Sequence, residues 1–214
     1  MKNFETYDLA IIGGGISSCV FVSRHIKNGF NGRIAIIENG RQLGGRSSTR
    51  NSFTNKGWEL NHGSPNFNIC NNNKNQLLET FIKELLDSNF IQKDPSNVIK
   101  FYKEPLHDSE INSEFYRGTN YISSTSMSEL SQNIISFNNL KNQVEYFFET
   151  LIIKLDYENN KWILTSKDGF KFNCKFLVCS SNLLLHKRSL DILRTNYIPL
   201  RNAIPINKDK KIDK

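Results

Sequence analysis

The chain has 214 residues, a formal net charge of +7, 38% hydrophobic and 23% charged residues. That length buries one good core with a small appended lobe, and no apolar run approaches the ~20 residues of a membrane span. The excess charge is diffuse: Lys208, Lys210, Lys211 and Lys214 sit near two aspartates, and no basic helix face forms, so neither a nucleic-acid nor a membrane partner is expected.

In chain order, Leu9 to Ile12 form an apolar strand that enters a glycine turn, and a helical stretch runs from Ile16 to Lys27. A second apolar strand, Ile34 to Ile37, ends in Glu38. Strand, glycine turn, helix, strand and acid make the layout of a dinucleotide-binding βαβ unit. Gly13 permits the tight turn, and Gly15 lets the backbone approach a pyrophosphate at the helix N-terminus. Ile16 and Ser17 open the helix, and Ser18 stands where a third Gly or Ala is usual, small enough for close helix–strand packing. Glu38 occupies the position of the ribose-binding acid, followed by Asn39. Methyltransferases also use a glycine loop and an acid after the second strand, so the fingerprint alone does not name the ligand.

Residues 39–50 narrow the choice. Gly44 and Gly45 allow a second close backbone approach, and Arg46 offers a planar fork of donors suited to phosphate. A second glycine pair plus arginine suits a longer ligand, which points to FAD more than to NAD alone.

Downstream, residues 51–70 read as an extended excursion through Trp58, Leu60 and Phe67. Residues 74–90 show helical spacing, with Leu77, Leu78, Phe81, Ile82, Leu85 and Leu86 on one core-facing stripe. Pro95 and Pro105 break residues 91–122, where Phe101, Tyr102, Phe115, Tyr116 and Tyr121 are half-buried candidates. A second helix covers Ser126 to Phe137, capped by Ser126 or Ser128. Strands then follow: Phe147 to Leu155 as one, Trp162 to Ser166 as another after the Glu158-Asn159-Asn160 turn, and Phe170 to Phe172 after Asp168-Gly169. This antiparallel meander feeds Phe176 to Cys179, a continuous apolar run suited to a buried parallel strand. Four cysteines (Cys19, Cys70, Cys174, Cys179) have no paired spacing, which argues against metal and disulfide alike; Cys19 and Cys179 read as small core residues. The start, Met-Lys-Asn-Phe-Glu-Thr, lacks an apolar signal region, so a cytoplasmic location is expected.

The pieces Gly13-x-Gly15-x-x-Ser18, Glu38, Leu43 to Arg50 and Glu59 to Phe67 resemble the flavin-dependent amine-oxidase superfamily, most closely its renalase-like branch. Residues 116–130 and Phe176 to Ser181 are similar to later motifs of that family. The resemblance implies an α/β fold: a Rossmann-like FAD/NAD(P)-binding domain with an antiparallel β-meander and a partial inserted substrate or cap lobe. The cofactor domain would be discontinuous, residues 1–70 and 140–195, with 71–139 inserted and 196–214 a tail. It also implies that the backbone at Ile152 faces the adenine end, and that His62, Gly63 and Ser64 run near the flavin ring. His62 has no expected partner and reads as a hydrogen-bonded structural histidine; no catalytic residue is assigned.

Members of the resembled family continue past the point matched by Tyr197-Ile198-Pro199. The expectation is a C-terminally truncated relative whose reactive half is open, completed by a second chain or prone to self-association. Two function classes follow. One is an FAD-dependent oxidoreductase taking a hydride from a reduced nicotinamide, NAD(P)H, or an amine, inactive or weak as this short chain. The other is a non-catalytic or degenerate dinucleotide-binding protein. The substrate and the electron acceptor carry no readable code.

Overall fold

The computed structural model describes residues 4–51, 58–61, 63–70, 75–94, 118–137, 143–185, 187 and 190–203. The chain divides into two compact units, Met1–Gly45 with Ile135–Lys214, and Arg46–Ile134. The resemblance placed the seams near residues 70 and 140.

The first unit is built on a six-stranded sheet. Its strands are β1 (Phe4–Ile12), β2 (Ile34–Ile37), β8 (Val144–Phe147), β9 (Ile152–Glu158), β10 (Lys161–Ser166) and β11 (Lys171–Cys179), in the order β8-β2-β1-β11-β10-β9. The first four strands in that order are parallel, and β11-β10-β9 is an antiparallel meander. β11 is thus a junction: it runs parallel to β1 from Lys171 to Cys179 and antiparallel to β10 over its first half. The residues expected as two segments, Phe170 to Phe172 and Phe176 to Cys179, lie on this one strand apart from Phe170.

β1 carries a bulge. The amides of Asp8 and Leu9 both donate to the carbonyl of Arg33, at 3.0 and 3.2 Å. The bulge moves the inward set from Tyr7 to Ala10 and Ile12, because one extra residue reverses the alternation of faces. On that face Tyr7, Ala10, Ile12, Ile37, Leu155, Leu164, Phe172 and Cys174 form the core. The Phe147 ring meets those of Phe172 and Tyr7 edge-on, at 4.8 and 5.9 Å between centroids. The other face, with Leu9, Ile11, Ile34 and Ile36, is buried with Cys19 and Val22 of helix α1 (Ile16–Lys27). Arg24, His25 and Lys27 in the last turn of α1 suit the negative end of its dipole.

The stretch expected as one strand from Phe147 to Leu155 is two. β8 ends at Phe147, Glu149 takes a positive φ of 52°, and β9 begins at Ile152. The turn is held from outside: the Glu149 amide donates to the Gly40 carbonyl and the Thr150 amide to the Glu38 carbonyl, at 2.9 and 3.0 Å. The Asn159-Asn160 turn is as expected, both residues having positive φ, 51° and 59°, the geometry of a tight hairpin between right-twisted strands. Two short helices, α4 (Leu190–Leu193) and α5 (Pro199–Ala203), complete the described part of this unit.

In the second unit β3 (Thr49–Asn51) pairs with β4 (Glu59–Asn61), and β5 (Phe67–Cys70), β7 (Gly118–Ser123) and β6 (Ile91–Lys93) form an antiparallel sheet in the order β5-β7-β6. Helix α2 (Gln76–Asp87) is capped by Asn75, whose Oδ1 accepts from the amides of Leu77 and Leu78. Of its apolar stripe only Ile82 and Leu85 are buried. Leu77 is 82% exposed, so the first turn does not share the core face expected of it. Helix α3 (Met127–Ser136) is capped by Ser126, whose Oγ accepts from the Glu129 amide at 3.2 Å. Ser128 does something else: its Oγ accepts from the Thr49 amide at 2.6 Å. Tyr121 is buried, whereas Phe101, Tyr102, Phe115 and Tyr116 lie outside the described residues.

Candidate dinucleotide site

The parallel strands β1 and β2 end side by side, Ile12 in register with Ile37. The chain leaves β1 through Gly13, whose φ is +102° and whose amide donates to the Ile37 carbonyl at 2.8 Å. A β-carbon on Gly13 would stand 3.2 Å from the backbone nitrogen and Cβ of Ser181. Ser181 is fixed there because its amide and that of Ser180 share the Ile12 carbonyl, at 3.1 and 2.9 Å. The end of β11 therefore backs the glycine turn, a contact that no local sequence pattern announces.

Gly15 is the N-cap of α1, with ordinary extended backbone, and no side chain caps the helix. The first turn contains no acidic residue. A β-carbon on Gly15 would meet no atom within 4 Å. Packing does not require glycine here, and the space beside it lies at the positive end of the helix dipole. Ile16 is half-buried and Ser17 exposed. Ser18 is buried, and its Oγ donates to the Gly13 carbonyl, so the hydroxyl that replaces the usual third Gly closes the turn from within.

Glu38 is held at both oxygens. Oε2 accepts from the Gly14 amide and Oε1 from the Gly40 amide, each at 2.6 Å. Its backbone is framed as well: the Glu38 amide donates to the Phe147 carbonyl at 2.9 Å, and its carbonyl accepts from Thr150. Gly40 was not singled out in the sequence, although a glycine two residues beyond the acid was the available signal. Asn39 between them is exposed.

The second glycine pair joins the first. Gly14 accepts from the Gly44 amide at 2.9 Å, and Gly15 forms an isolated parallel bridge with Gly44. A β-carbon on Gly45 would lie 3.2 Å from the Gly15 Cα. Gly13, Gly15, Ile16, Ser17, Ser18, Glu38, Asn39, Gly44 and Gly45 thus belong to one unit. Ile152, at the start of β9, is in that unit too and is buried.

Arg46, Gly63 and Ser64 belong to the other unit. Arg46 is exposed, and its carbonyl accepts from the Ser64 amide at 2.8 Å. A β-carbon on Gly63 would fall 1.9 Å from the Arg46 carbonyl oxygen, so Gly63 is required by close backbone packing. His62, His107 and His186 lie outside the described residues. His25 is stacked between Phe21 and Phe30, at 5.3 and 4.4 Å between centroids.

None of the four cysteines is in a disulfide. Cys19 is fully buried, as expected of a core residue, while Cys179 is only partly buried. Burial pushes the Cys179 thiol, in register with Ile12, up to about 11 and the Cys174 thiol up to about 12. Neither is a thiolate near neutral pH. Among the described residues no cluster of metal-binding side chains occurs, and no helix is long and apolar enough to cross a membrane.

The fold is Rossmann-like. Residues 11–85 match the family model of an NAD(P)-binding Rossmann-like domain. A putrescine oxidase double mutant made to redesign cofactor binding superposes with a TM-score of 0.57 at 11% identity, over 87% of this chain and 60% of that one. This chain therefore spans 60% of that protein's length, and the likeness is one of fold. A Diels–Alderase of pyrroindomycin biosynthesis (TM-score 0.47, 15% identity) is covered over 32% of its length by 83% of this chain. Cyclohexanone monooxygenase from Rhodococcus sp. Phi1 bound to NADP+ (0.43, 13%) is covered over 26% by 83% of this chain. No curated protein sequence matches the chain.

Proposed function

We propose that the glycine turn, α1 and Glu38 hold the adenosine diphosphate part of FAD, and that the protein serves an FAD-dependent oxidoreduction of the renalase or amine-oxidase kind. The observation that carries this reading is the open space at Gly15 beside a carboxylate already fixed in place. The uncapped first turn at Ile16, Ser17 and Ser18 directs amides and the helix dipole toward the pyrophosphate. An ionised carboxylate offers about four lone-pair sites. Two on Glu38 are taken by Gly14 and Gly40, which leaves two for ribose hydroxyls. Because both bonds come from backbone amides, the carboxylate is oriented before any ligand arrives, which lowers the entropy lost on binding.

Asn39 flanks the ribose, Gly44 and Gly45 let a second stretch of backbone approach the pyrophosphate, and the backbone at Ile152 takes the adenine end. Arg46, with its planar fork of donors, is a second phosphate contact, and the places of His62, Gly63 and Ser64 near the flavin are carried by the family resemblance. FAD, when bound, supplies two-electron redox chemistry; the chain's contribution is to bind and orient it. A reduced nicotinamide, NAD(P)H, or an amine is the proposed electron donor.

The test is the purified protein itself. Bound oxidised flavin makes it yellow, and calorimetry against FAD, NAD and S-adenosylmethionine ranks the three. FAD is expected to bind tightest. Tight NAD binding with no FAD binding overturns the cofactor assignment. Flavin bound without oxidation of NADH or amines places the protein with non-catalytic dinucleotide binders.

A further inference from the structure

We propose that Phe148 is the base-stacking residue of the nucleotide site, receiving the adenine at the end of the ligand beyond the ribose. The inference rests on the dinucleotide reading above and adds a residue that no part of the glycine fingerprint contains.

The order of the strands places Phe148 beside Glu38. β1, β2 and β8 are parallel neighbours, with Ile12 in register with Ile37 and Ile37 with Phe147. Parallel strands lie about 4.8 Å apart. At the level just beyond these residues stand Gly13, Glu38 and Phe148. Reading outward, β1 leads to the phosphate end of the site and β2 to its ribose end. One strand further, β8 leads to Phe148. A nucleotide laid across the strand ends with its pyrophosphate at α1 and its sugar on Glu38 directs its base toward β8.

The side chain is on the correct face. Ile34 and Ile36 of β2 are buried on the face that also buries Cys19 and Val22 of α1, and Glu38 continues their alternation. Tyr146 pairs with Ile36, so it lies on that face, and the Phe148 ring stacks on the Tyr146 ring from the turn that follows β8. The planes of the two rings are nearly parallel, 9° apart, with 5.9 Å between centroids. Phe148 is 38% exposed. An aromatic ring left this open at a strand end presents a stacking surface that any base can use.

The position is also rigid. The Phe147 carbonyl accepts from the Glu38 amide, the Phe148 carbonyl from the Thr150 hydroxyl at 2.9 Å, and the Glu149 and Thr150 amides bond Gly40 and Glu38. The bonds that frame Glu38 therefore also fix the backbone of Phe148. A ribose-binding carboxylate and a base-binding ring share one hydrogen-bonded frame.

The experiment compares the parent with Phe148→Leu and Phe148→Tyr for binding of FAD, ADP and FMN, alongside thermal melts. Stacking on a base is typically worth a 5- to 100-fold change in affinity. Phe148→Leu should weaken FAD and ADP by a common factor in that range and leave any FMN affinity unchanged, because FMN has no adenine. Phe148→Tyr should restore FAD and ADP. The fluorescence of etheno-ADP should fall on binding to the parent, a readout that needs no variant. Unchanged FAD and ADP affinity in Phe148→Leu, or etheno-ADP that binds without a fluorescence change, overturns the stacking role while leaving the dinucleotide site intact. A parent that binds no adenine nucleotide overturns both.

Discussion

Gly63 lies against the peptide of Arg46 so closely that a β-carbon on it would stand 1.9 Å from the Arg46 carbonyl oxygen. No real contact is that short, and the neighbour is backbone, which cannot step aside as a side chain can. Gly63→Ala should therefore cost at least about 2–3 kcal/mol through overpacking. A thermal melt at constant ligand reads it. An unchanged midpoint would show that the approach is looser than this geometry.

Gly15 predicts the opposite separation of stability from binding. Its backbone is ordinary extended structure, and a side chain there meets open space. Gly15→Val should still fold, with a loss of no more than about 1 kcal/mol from a poorer N-cap residue, and lose FAD, since the branched side chain fills the space proposed for the pyrophosphate. Gly13→Ala should lose stability as well, by about 1–3 kcal/mol, because φ is +102° and Ser181 stands behind it. If Gly15→Val binds FAD like the parent, the pyrophosphate lies elsewhere.

Arg46→Ala should weaken FAD by about 1.5–3 kcal/mol if its guanidinium makes a charged hydrogen bond to phosphate. The melting midpoint of the ligand-free protein should not move, since Arg46 is exposed and its one described bond uses the carbonyl. Calorimetry at two salt concentrations checks the assignment, because a phosphate contact weakens as salt rises.

A polar cluster crosses the six-stranded sheet of the first unit. The buried Tyr7 hydroxyl donates to Glu145 Oε2 at 2.7 Å and reaches Glu5, while Arg33 bonds Glu145 at 2.6 Å and lies 4.7 Å from the Tyr7 ring centroid. Burial, with both carboxylates beside it, raises the Tyr7 hydroxyl far above its usual range, so it stays protonated. Tyr7→Phe should cost about 1 kcal/mol, the net worth of one hydrogen bond, because the Glu145 carboxylate it leaves is about half exposed and reaches water.

The same cluster sets an acid limit. Arg33, and then Tyr7, hold the Glu145 carboxyl below its ordinary 4.5; Lys175, and then the Arg33 amide, hold Asp8 below 3.8. A carboxyl depressed in the fold takes up protons less readily there than in the unfolded chain. Its contribution is complete above the ordinary value and is lost as pH falls through the folded one. Stability should decline from about pH 4.5 downward, and Glu145→Gln should flatten the upper part of that decline. Both partners are about half exposed, so the effect is small and diminishes in salt. Denaturant titrations between pH 3 and 7 test it.

The sequence displays what is local. The bounds of α1 follow from the glycine turn and the spacing of Cys19 and Val22, and the Asn159-Asn160 hairpin follows from residues that tolerate positive φ. The break at Glu149 is not local: its neighbours Phe147, Phe148, Leu151 and Ile152 continue a strand pattern, and the turn exists because Gly40 and Glu38 accept its amides. Glu38 was legible as an acid at the right spacing, but its clamp by Gly14 and Gly40 depends on the bend after β2. Gly63 was legible as part of a motif, and its steric reason lies in the Arg46 peptide brought against it by the fold. Leu77 broke the helical stripe because periodicity describes a face and not the length over which another element covers it.

The double pairing of β11 has a consequence for how the chain is made. Asp8 and Lys175, joined across β1 and β11, are separated by 167 positions. During synthesis the glycine turn and α1 emerge early, yet the strand that backs the turn through Ser180 and Ser181 arrives far later. Until then Leu9, Ala10 and Ile11 expose an apolar edge on the side β11 will occupy, a template for pairing with other chains. Closure of so long a loop comes before its reward in contacts, so folding should be slow and should wait for most of the chain. The glycine turn is then backed only once Ser180 and Ser181 reach the Ile12 carbonyl, and an unpaired β1 is the stretch most open to association during the interval.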